Sequence, residues 1–348
     1  MRTMKRNRCS GALAATVLGV CVMGTVANAA EYDVTTEQSG SILVFPKVIW
    51  DGPGGSGARD TVIQIANTSN MPVMAHCFYV DGEDCGETDF YLYLTRQHPT
   101  NWVVSSGRVV SWTGSGGIAP GHVPPVPPGF RGQLMCVQVD PNDQEPLRAD
   151  QLKGEAVLRD ATGDVSKYNA IAFRGNDGPG VTESANPFDL DLNWTAQNAN
   201  GQYSSCPSEL RVGHATGAPE FSKTHALTEF TVVPCYADLE NQTFAKTKVK
   251  FNIIDEYETE LSLNPQSVGC WLNIDLATLL GKISIATPGA QMIIESVQDA
   301  GVVGVVEEYR TANNRPTAPS GHAASAMIGV GNRAATTAWV DQFILPQP

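Results

Sequence analysis

Short apolar runs separated by turn residues dominate the chain. Residues 41–50 (SILVFPKVIW), 61–69 (TVIQIANTS) and 72–80 (PVMAHCFYV) are rich in β-branched and aromatic side chains, and Gly, Asn, Asp or Pro follow them. This pattern predicts β-strands. Pro46 inside the first run predicts an edge strand or a bulge, because proline cannot donate to a strand ladder. We expect the second and third runs to pair as a hairpin.

Four further runs complete the first half. They are separated by turn signals, and residues 96–129 between the first and second of them are predicted to form a long loop. Seven short strands with regular turns are typical of an immunoglobulin-like sandwich. The four runs are residues 89–94, 130–139, 154–160 and 167–173.

The remainder of the chain repeats the strand rhythm after a polar interval. Residues 174–205 are rich in Gly, Asn, Asp and Ser, which predicts a connector or a long surface loop. Beyond them, KVKFNI at residues 248–253 alternates polar and apolar positions, as in a strand with one buried face. Residues 274–280 predict a helical turn. We therefore predict an all-β protein with two immunoglobulin-like β-sandwich domains in tandem, residues 31–173 and 206–348.

The first 29 residues have the features of a secretory signal peptide. Four basic residues precede an uncharged apolar run at residues 11–26, and Ala27-Asn28-Ala29 supplies the small residues of a cleavage site. No later segment is apolar enough to cross a membrane. We therefore expect export to the periplasm, the cell surface or the medium after cleavage.

The charge balance argues against one class of partner. The formal net charge is −13, so phosphate backbones are repelled and nucleic-acid binding is not expected. An acidic surface favours solubility without defining a partner.

Six cysteines follow the signal segment, three on each side of residues 174–205. An exported chain meets an oxidising environment, so disulfides are expected. Three cysteines per half require either one bond between the halves or one free thiol in each. We favour Cys85–Cys136 and Cys235–Cys270 and leave two cysteines open. The disulfide candidates are Cys77, Cys85, Cys136, Cys206, Cys235 and Cys270.

Metal-binding patterns are weak. No two histidines have the spacing of a zinc site. Residues 189–193 resemble the start of an EF-hand loop, but Trp194 stands where glycine is required. We expect no cofactor, with calcium bound by acidic loops as the alternative. The calcium candidates are Asp81, Glu83, Asp84, Asp140, Asn142 and Asp143.

Catalytic motifs are also weak. Gly54-Gly55-Ser56-Gly57-Ala58 lacks the last glycine of a nucleophile elbow. Glu307 and Glu308 are adjacent, and in a strand they point to opposite faces. We therefore do not expect an enzyme. The alternative is a carbohydrate-active or other hydrolytic enzyme, which needs two facing carboxylates near exposed aromatics. The tryptophans to inspect are Trp102, Trp112, Trp194 and Trp271.

The proline-rich tract GHVPPVPPGF at residues 121–130 has the most unusual composition. Prolines favour an extended polyproline II conformation. We interpret the tract as a stiff connector that crosses from one sheet to the other. A recognition loop, with Trp102 and Trp112 nearby, is the alternative.

Several segments together resemble a family of exported, cysteine-containing, β-rich bacterial proteins of delta-proteobacterial type. The resemblance lies in their order and spans nearly the whole chain after the signal segment. The family has no assigned activity, so the resemblance implies a bacterial, secreted, β-rich protein and transfers no site. The segments are CFYVDGEDC with ETDF, VPPVPPGFRGQLMCVQV, LKGEA with YNAIAF, SSCPSELRVGH, TVVPC and DQFILP.

These observations predict a secreted or cell-surface protein with a structural or binding role, whose partner is a protein or a glycan. A calcium-dependent adhesion module or a subunit of an extracellular polymer is a further alternative. In a polymer, residues 31–41 would add a strand to a neighbouring subunit, although they lack alternating large apolar residues.

Overall fold

Almost every regular element of the protein is a β-strand, so the chain is all-β, as predicted. The predicted signal peptide, residues 1–29, lies outside the described residues. The described residues belong to the compact unit Glu31–Pro348. The computed structural model describes residues 33–54, 58–109, 121–161, 163–216, 224–244, 246–281, 289–298, 300–312, 319–332 and 341–348.

Ten strands precede residue 206. They are β1 (Ile42–Ile49), β2 (Arg59–Asn67), β3 (Val73–Asp81), β4 (Glu87–Leu94), β5 (Pro99–Val103), β6 (Arg131–Val139), β7 (Leu152–Asp160), β8 (Val165–Asn169), β9 (Ile171–Phe173) and β10 (Asp189–Asp191).

The elements after residue 206 include the only helix in the described part of the chain. They are β11 (Pro207–Thr216), β12 (Thr224–Pro234), β13 (Tyr236–Asp238), β14 (Thr243–Phe244), β15 (Thr247–Asp255), β16 (Glu260–Ser262), β17 (Gln266–Val268), β18 (Leu272–Asp275), α1 (Leu276–Leu280), β19 (Gly289–Gln298), β20 (Val302–Ala312), β21 (Pro319–Ala326), β22 (Ile328–Asn332) and β23 (Gln342–Ile344).

The predicted helical turn is confirmed by α1. Asp275 caps it, because its carboxylate accepts a hydrogen bond from the backbone N–H of Thr278 at 2.7 Å.

Two sheets of the first half, residues 33–173, enclose the first core. One sheet has the order β4-β3-β6-β1-β9 and the other β5-β2-β7-β8. Phe45, Ile63, Tyr79 and Trp102 are buried between them. Val305 of β20 belongs to the same cluster, so the second half contributes to this core.

Two further sheets enclose another core in the second half, residues 206–348. One runs β16-β15-β19-β11-β22, with β17 also paired to β15, and the other runs β18-β12-β20-β21. Phe230, Phe251 and Met292 are buried between them. Along β15, Val249, Phe251 and Ile253 are buried, whereas Lys248 is exposed and Lys250 is half-buried. The predicted one-face alternation is confirmed from Lys248 to Phe251, but it fails at Asn252, which is buried.

A core shared by the two halves covers the outer face of the β4-β3-β6-β1-β9 sheet. Val44, Phe78 and Val137 from that sheet pack with Val233 and Val303 of the second half. The small sheet β10-β23-β13-β14 adds to the same cluster. Because both faces are covered, all eight residues of β1 are buried, which explains why every residue of the strand except Lys47 is apolar.

The predicted hairpin of β2 and β3 is wrong. β2 pairs with β5 and β7, whereas β3 pairs with β4 and β6 in the facing sheet. Alternation of apolar residues identifies the buried face of a strand, but it does not identify its neighbour. The predicted loop at residues 96–129 also differs, because it contains β5. The proline-rich tract leads from β5 in one sheet to β6 in the other, so the predicted crossing is confirmed.

The polar interval at residues 174–205 packs against both halves. Leu190 and Tyr203 are buried in the shared core with residues of both halves. Within the interval, Ser204 accepts a hydrogen bond from the backbone N–H of Arg174 at 3.0 Å. The division into two immunoglobulin-like domains with a connector stays a prediction. The structure adds that the two halves and the interval share one core.

Candidate functional site

All six candidate cysteines form disulfides, but the favoured pairing was wrong. The bonds are Cys77–Cys136, Cys85–Cys270 and Cys206–Cys235. Cys77 and Cys136 lie directly opposite each other on β3 and β6, with their Cα atoms 4.0 Å apart. Strand pairing therefore determines this bond, and sequence order does not reveal which strands pair.

The Cys85–Cys270 disulfide joins the halves, as the odd number of cysteines in each half allowed. Its surroundings are close-packed. A Cβ atom added to Gly82 would lie 2.6 Å from the ring of Trp271. The Trp271 indole N–H donates to the carbonyl of Pro46 at 2.8 Å, and Gln133 donates to the carbonyl of Cys270 at 3.0 Å. We call this region, where the two halves meet around Cys85–Cys270, the junction. It combines a covalent bond with matched polar contacts.

A bulge in β1 directs Lys47 into this junction. The pairing of β1 with β6 shifts register between Phe45 and Val48, which confirms the bulge predicted from Pro46. β1 is also an internal strand, because β9 pairs with its other edge. The hydroxyl of Tyr168 accepts a hydrogen bond from the Lys47 N–H at 3.1 Å and donates to its carbonyl at 2.6 Å. A bulge commonly re-aims a side chain in this way.

Lys47 lies between two carboxylates of the second half. Its Nζ is 2.7 Å from Oε2 of Glu229 and 2.5 Å from Oε2 of Glu307. The side chains of Lys47 and Glu307 are both 0% exposed. We call Lys47, Arg59, Glu229 and Glu307 the junction charge cluster.

The cluster compensates a repulsive strand pair. Glu229 and Glu307 lie directly opposite each other on β12 and β20, where two like charges destabilise a sheet. Arg59 supplies a second cation, with Nη1 3.7 Å and 3.9 Å from the two Oε2 atoms. Burial raises the pKa of Glu229, but Lys47 and Arg59 outweigh burial and the net direction is down. Lys47 and Arg59 therefore favour the ionised form of Glu229.

Sequence reasoning missed most of this cluster. It did separate Glu307 from Glu308 correctly, because Glu307 points inward to Lys47 while Glu308 Oε1 lies 3.0 Å from His214 Nδ1 on the outside. The available signal was a charged residue inside an otherwise apolar strand, as Lys47 is in SILVFPKVIW. Such a residue is buried only when it has a partner.

A second group of titratable residues lies on the face of β3 and β4. His76 Nε2 is 3.0 Å from a carboxylate oxygen of Asp89, and its ring stacks on Tyr91 with centroids 4.0 Å apart. The hydrogen bond with His76 lowers the pKa of Asp89. Burial and the neighbouring Asp89 raise the pKa of Glu87 to about 7. The Oε2 atom of Glu87 is buried and has no hydrogen-bond partner among the described residues.

The four aspartates among the calcium candidates each accept a hydrogen bond within their own turn. Asp81 accepts the N–H of Glu83 at 2.8 Å, and Asp84 accepts the N–H of Gly86 at 2.7 Å. Asp140 likewise accepts the N–H of Asn142, and Asp143 that of Glu145. In the described ranges, no three His, Cys, Asp or Glu side chains are grouped as a metal site would require. Calcium binding stays a prediction.

The tryptophans do not gather on one open surface in the described part of the chain. Trp102 is buried in the first core and donates to the hydroxyl of Tyr79 at 2.5 Å. Trp271 packs at the junction, and Trp194 is half-buried beside Gly201. Trp112 and the central residues Gly55, Ser56 and Gly57 of the incomplete elbow motif lie outside the described residues.

A cavity of about 530 Å³ opens where the polar interval meets the first half. Arg148 spans it with a two-pronged ion pair to Glu183, at 2.8 Å and 2.6 Å. Gln202 donates to Glu183 at 3.2 Å, and Tyr203 and Leu190 line the wall. The cavity combines paired polar groups with apolar surface, as small-ligand sites do.

Comparisons with known proteins identify no family. No family model and no curated protein matches the chain, so the resemblance to exported bacterial proteins stays a prediction. Among solved structures, Thermotoga maritima 1070 is 10% identical over 38% of this chain and 95% of its own, with a TM-score of 0.26.

Two longer matches are equally distant. The partial N-terminal region of an enterococcal surface protein is 8% identical, covers 84% of this chain and 95% of its own, and has a TM-score of 0.21. The PBSX exported protein XepA is 9% identical over 80% and 83% of the two chains, with a TM-score of 0.19. Scores this low support no conclusion about fold or function. Separately, no helix in the described ranges is long and apolar enough to span a membrane.

Proposed function

We propose that this chain is an exported, non-enzymatic β-sandwich protein with a structural or binding role. Three disulfides support export, because such bonds persist in oxidising compartments. One observation supports a structural role more than any other. The charged groups of the junction charge cluster neutralise one another, and Lys47 and Glu307 are fully buried. Groups that are paired in this way hold strands of the two halves together.

An activity screen tests the non-enzymatic role. The purified protein is incubated with chromogenic glycoside, ester and peptide substrates. We expect no turnover above that of heat-denatured protein. Reproducible hydrolysis that disappears in one acid-to-amide variant would contradict the proposal.

The binding version of the role is supported by the Arg148 cavity. Its planar ion pair with Glu183 offers donors and acceptors to a glycan hydroxyl pair or to a polar side chain of a protein. An array of glycans and a pull-down with Arg148→Gln as the comparison variant test it. Loss of binding in this variant supports the cavity as the binding site. Equal binding of the two proteins would mean that the ligand binds elsewhere.

A hydrolase is the second candidate, because Glu87 and Asp89 have pKa values shifted in opposite directions. This divergence is a feature of acid and base pairs. They are two residues apart on β4 and so share one face. If they catalyse hydrolysis, the rate depends on a group with a pKa near 7 and is lost in both Glu87→Gln and Asp89→Asn. Retained activity in either variant excludes this pair.

The polymer and calcium alternatives meet competing contacts. Asp33, Thr35 and Gly40 bridge to Ser205, Ala172 and Leu152 of their own chain, so the segment proposed to join a neighbour is engaged internally. Size-exclusion chromatography at high concentration tests the polymer. Calcium binding is tested by adding calcium to chelator-treated protein, where binding to the folded state would raise the melting temperature.

A further inference from the structure

The side-chain amide of Asn273 contacts the junction charge cluster. Lys47 Nζ and Asn273 Nδ2 both contact the same oxygen, Oε2 of Glu229, at 2.7 Å and 3.5 Å. We propose that Lys47 and Asn273 become joined by an intramolecular amide bond between Nζ and Cγ. This inference goes beyond the proposed function: the bond would replace the ion pairs of the Lys47 ammonium with a covalent link between the same two halves.

Strand pairing explains why these groups share one face. Asn273 of β18 lies opposite Thr231 of β12, and Glu229 precedes Thr231 by two residues, so their side chains point the same way. Glu307 lies opposite Glu229 on β20. Lys47 approaches this face from β1, where the bulge directs it inward. The two groups to be joined therefore come from different halves of the chain.

The amide of Asn273 is polarised for attack. The hydroxyl of Thr231 donates a hydrogen bond to Oδ1 of Asn273 at 2.7 Å. A donor at this oxygen stabilises the negative charge that develops on it when a nucleophile adds to Cγ. Thr231 is 0% exposed, so water does not compete strongly for the contact. A guanidinium is not nucleophilic, which makes Lys47 rather than Arg59 the reacting cation.

Glu229 supplies the required proton transfers. It takes a proton from the Lys47 ammonium, and the neutral amine then attacks Cγ of Asn273. The Nζ–Cγ bond forms, Glu229 returns the proton to Nδ2, the Cγ–Nδ2 bond breaks and ammonia leaves. The protonated amide gives its extra proton to Glu229 or Glu307, and one of these carboxyls keeps it. The step needs no oxidant or other co-reactant.

The intact mass of the native protein tests the bond directly. Purified protein is fully reduced and denatured, so that disulfides do not contribute. The N-terminus of the purified chain is first determined, which fixes its expected mass. We expect a mass below that value by one ammonia molecule, and a proteolytic peptide that links the Lys47 and Asn273 segments. A mass equal to the expected value would overturn the proposal. Loss of ammonia without the linked peptide, as in a succinimide at Asn273, would overturn it as well.

Variants assign the roles. Asn273→Ala and Glu229→Gln should show the full mass and no linked peptide, because one lacks the leaving amide and the other lacks the base. Asn264→Ala changes an exposed asparagine outside the cluster and should retain the link. A linked peptide at Lys47 in Asn273→Ala would contradict the assignment. The measurement on the native protein remains decisive if a variant does not fold.

Discussion

The β4-β3-β6-β1-β9 sheet of the first half and the β16-β15-β19-β11-β22 sheet of the second half differ in how many of their faces are buried. In the first, β1 is buried at every position and β6 at all but its first residue. In the second, β15 alternates between buried and more exposed positions over its first five residues. A strand covered on both faces needs a partner on each side. The first half therefore depends on the second for one of its cores.

This dependence turns the junction into part of the fold. The shared core, the Cys85–Cys270 bond and the junction charge cluster all connect residues from both halves. Removing the second half would expose the apolar outer face of the sheet that contains β1. Variants that weaken the junction can therefore be compared with variants in the interior or on the surface of one half.

The largest effect is expected from Phe78→Ala, which empties part of the shared core. Phe78 is 0% exposed, and loss of a buried phenylalanine costs about 3–5 kcal/mol. Urea unfolding measures the free energy. Phe251→Ala, in the second-half core, is the matched variant. Both should lower the midpoint of one common transition, whereas separate transitions would contradict a shared core.

Lys47→Met should destabilise the protein by about 3 kcal/mol, because removing one partner leaves buried charge uncompensated. Arg59 limits the loss by remaining near both carboxylates. Lys248→Met replaces an exposed lysine of β15 and should change stability by less than about 0.5 kcal/mol. Equal values for the two variants would mean that the cluster contributes nothing.

The cross-half disulfide should contribute more than a local one. Cys85–Cys270 spans 185 residues and Cys206–Cys235 spans 29. The chain-entropy model gives the longer loop about 1–2 kcal/mol more stabilisation. Unfolding of Cys85→Ser/Cys270→Ser against Cys206→Ser/Cys235→Ser compares them. A larger loss from the second pair would show that local packing outweighs loop length.

The smallest effect concerns pH. The folded pKa of Glu87 is raised to about 7 from an ordinary 4.5, so its contribution is present below pH 4.5 and is lost as the pH rises through 7. Asp89 affects stability in the opposite direction. Its pKa is lowered, so its contribution is present at higher pH and is lost as the pH falls. Glu87→Gln should melt higher than the native protein at pH 8 and equally at pH 4. A constant difference across this range would contradict the shift.

The sequence predicted the strands better than their partners. Turn residues and apolar runs located β1, β3, β6 and β15, since these signals are local. The β2–β3 hairpin and the Cys85–Cys136 pair failed because pairing depends on contacts between distant segments. Cys136 pairs with Cys77, which β3 brings directly opposite it.

The junction charge cluster was beyond sequence reasoning for the same reason. Glu229 and Glu307 are separated by β13 to β19 along the chain, yet they face each other on paired strands. Pro46 indicated the bulge in β1, but nothing in the local sequence indicates that Lys47 contacts two carboxylates of the other half. The burial of a charged side chain can be explained only when its partners are known.

Calorimetry of the oxidised protein tests the central claim, that the two halves fold as one body through the junction. A single transition is predicted, with the calorimetric enthalpy equal to the van't Hoff enthalpy. Lys47→Met should move that whole transition to lower temperature. Two transitions in the native protein, of which Lys47→Met moves only one, would contradict the claim.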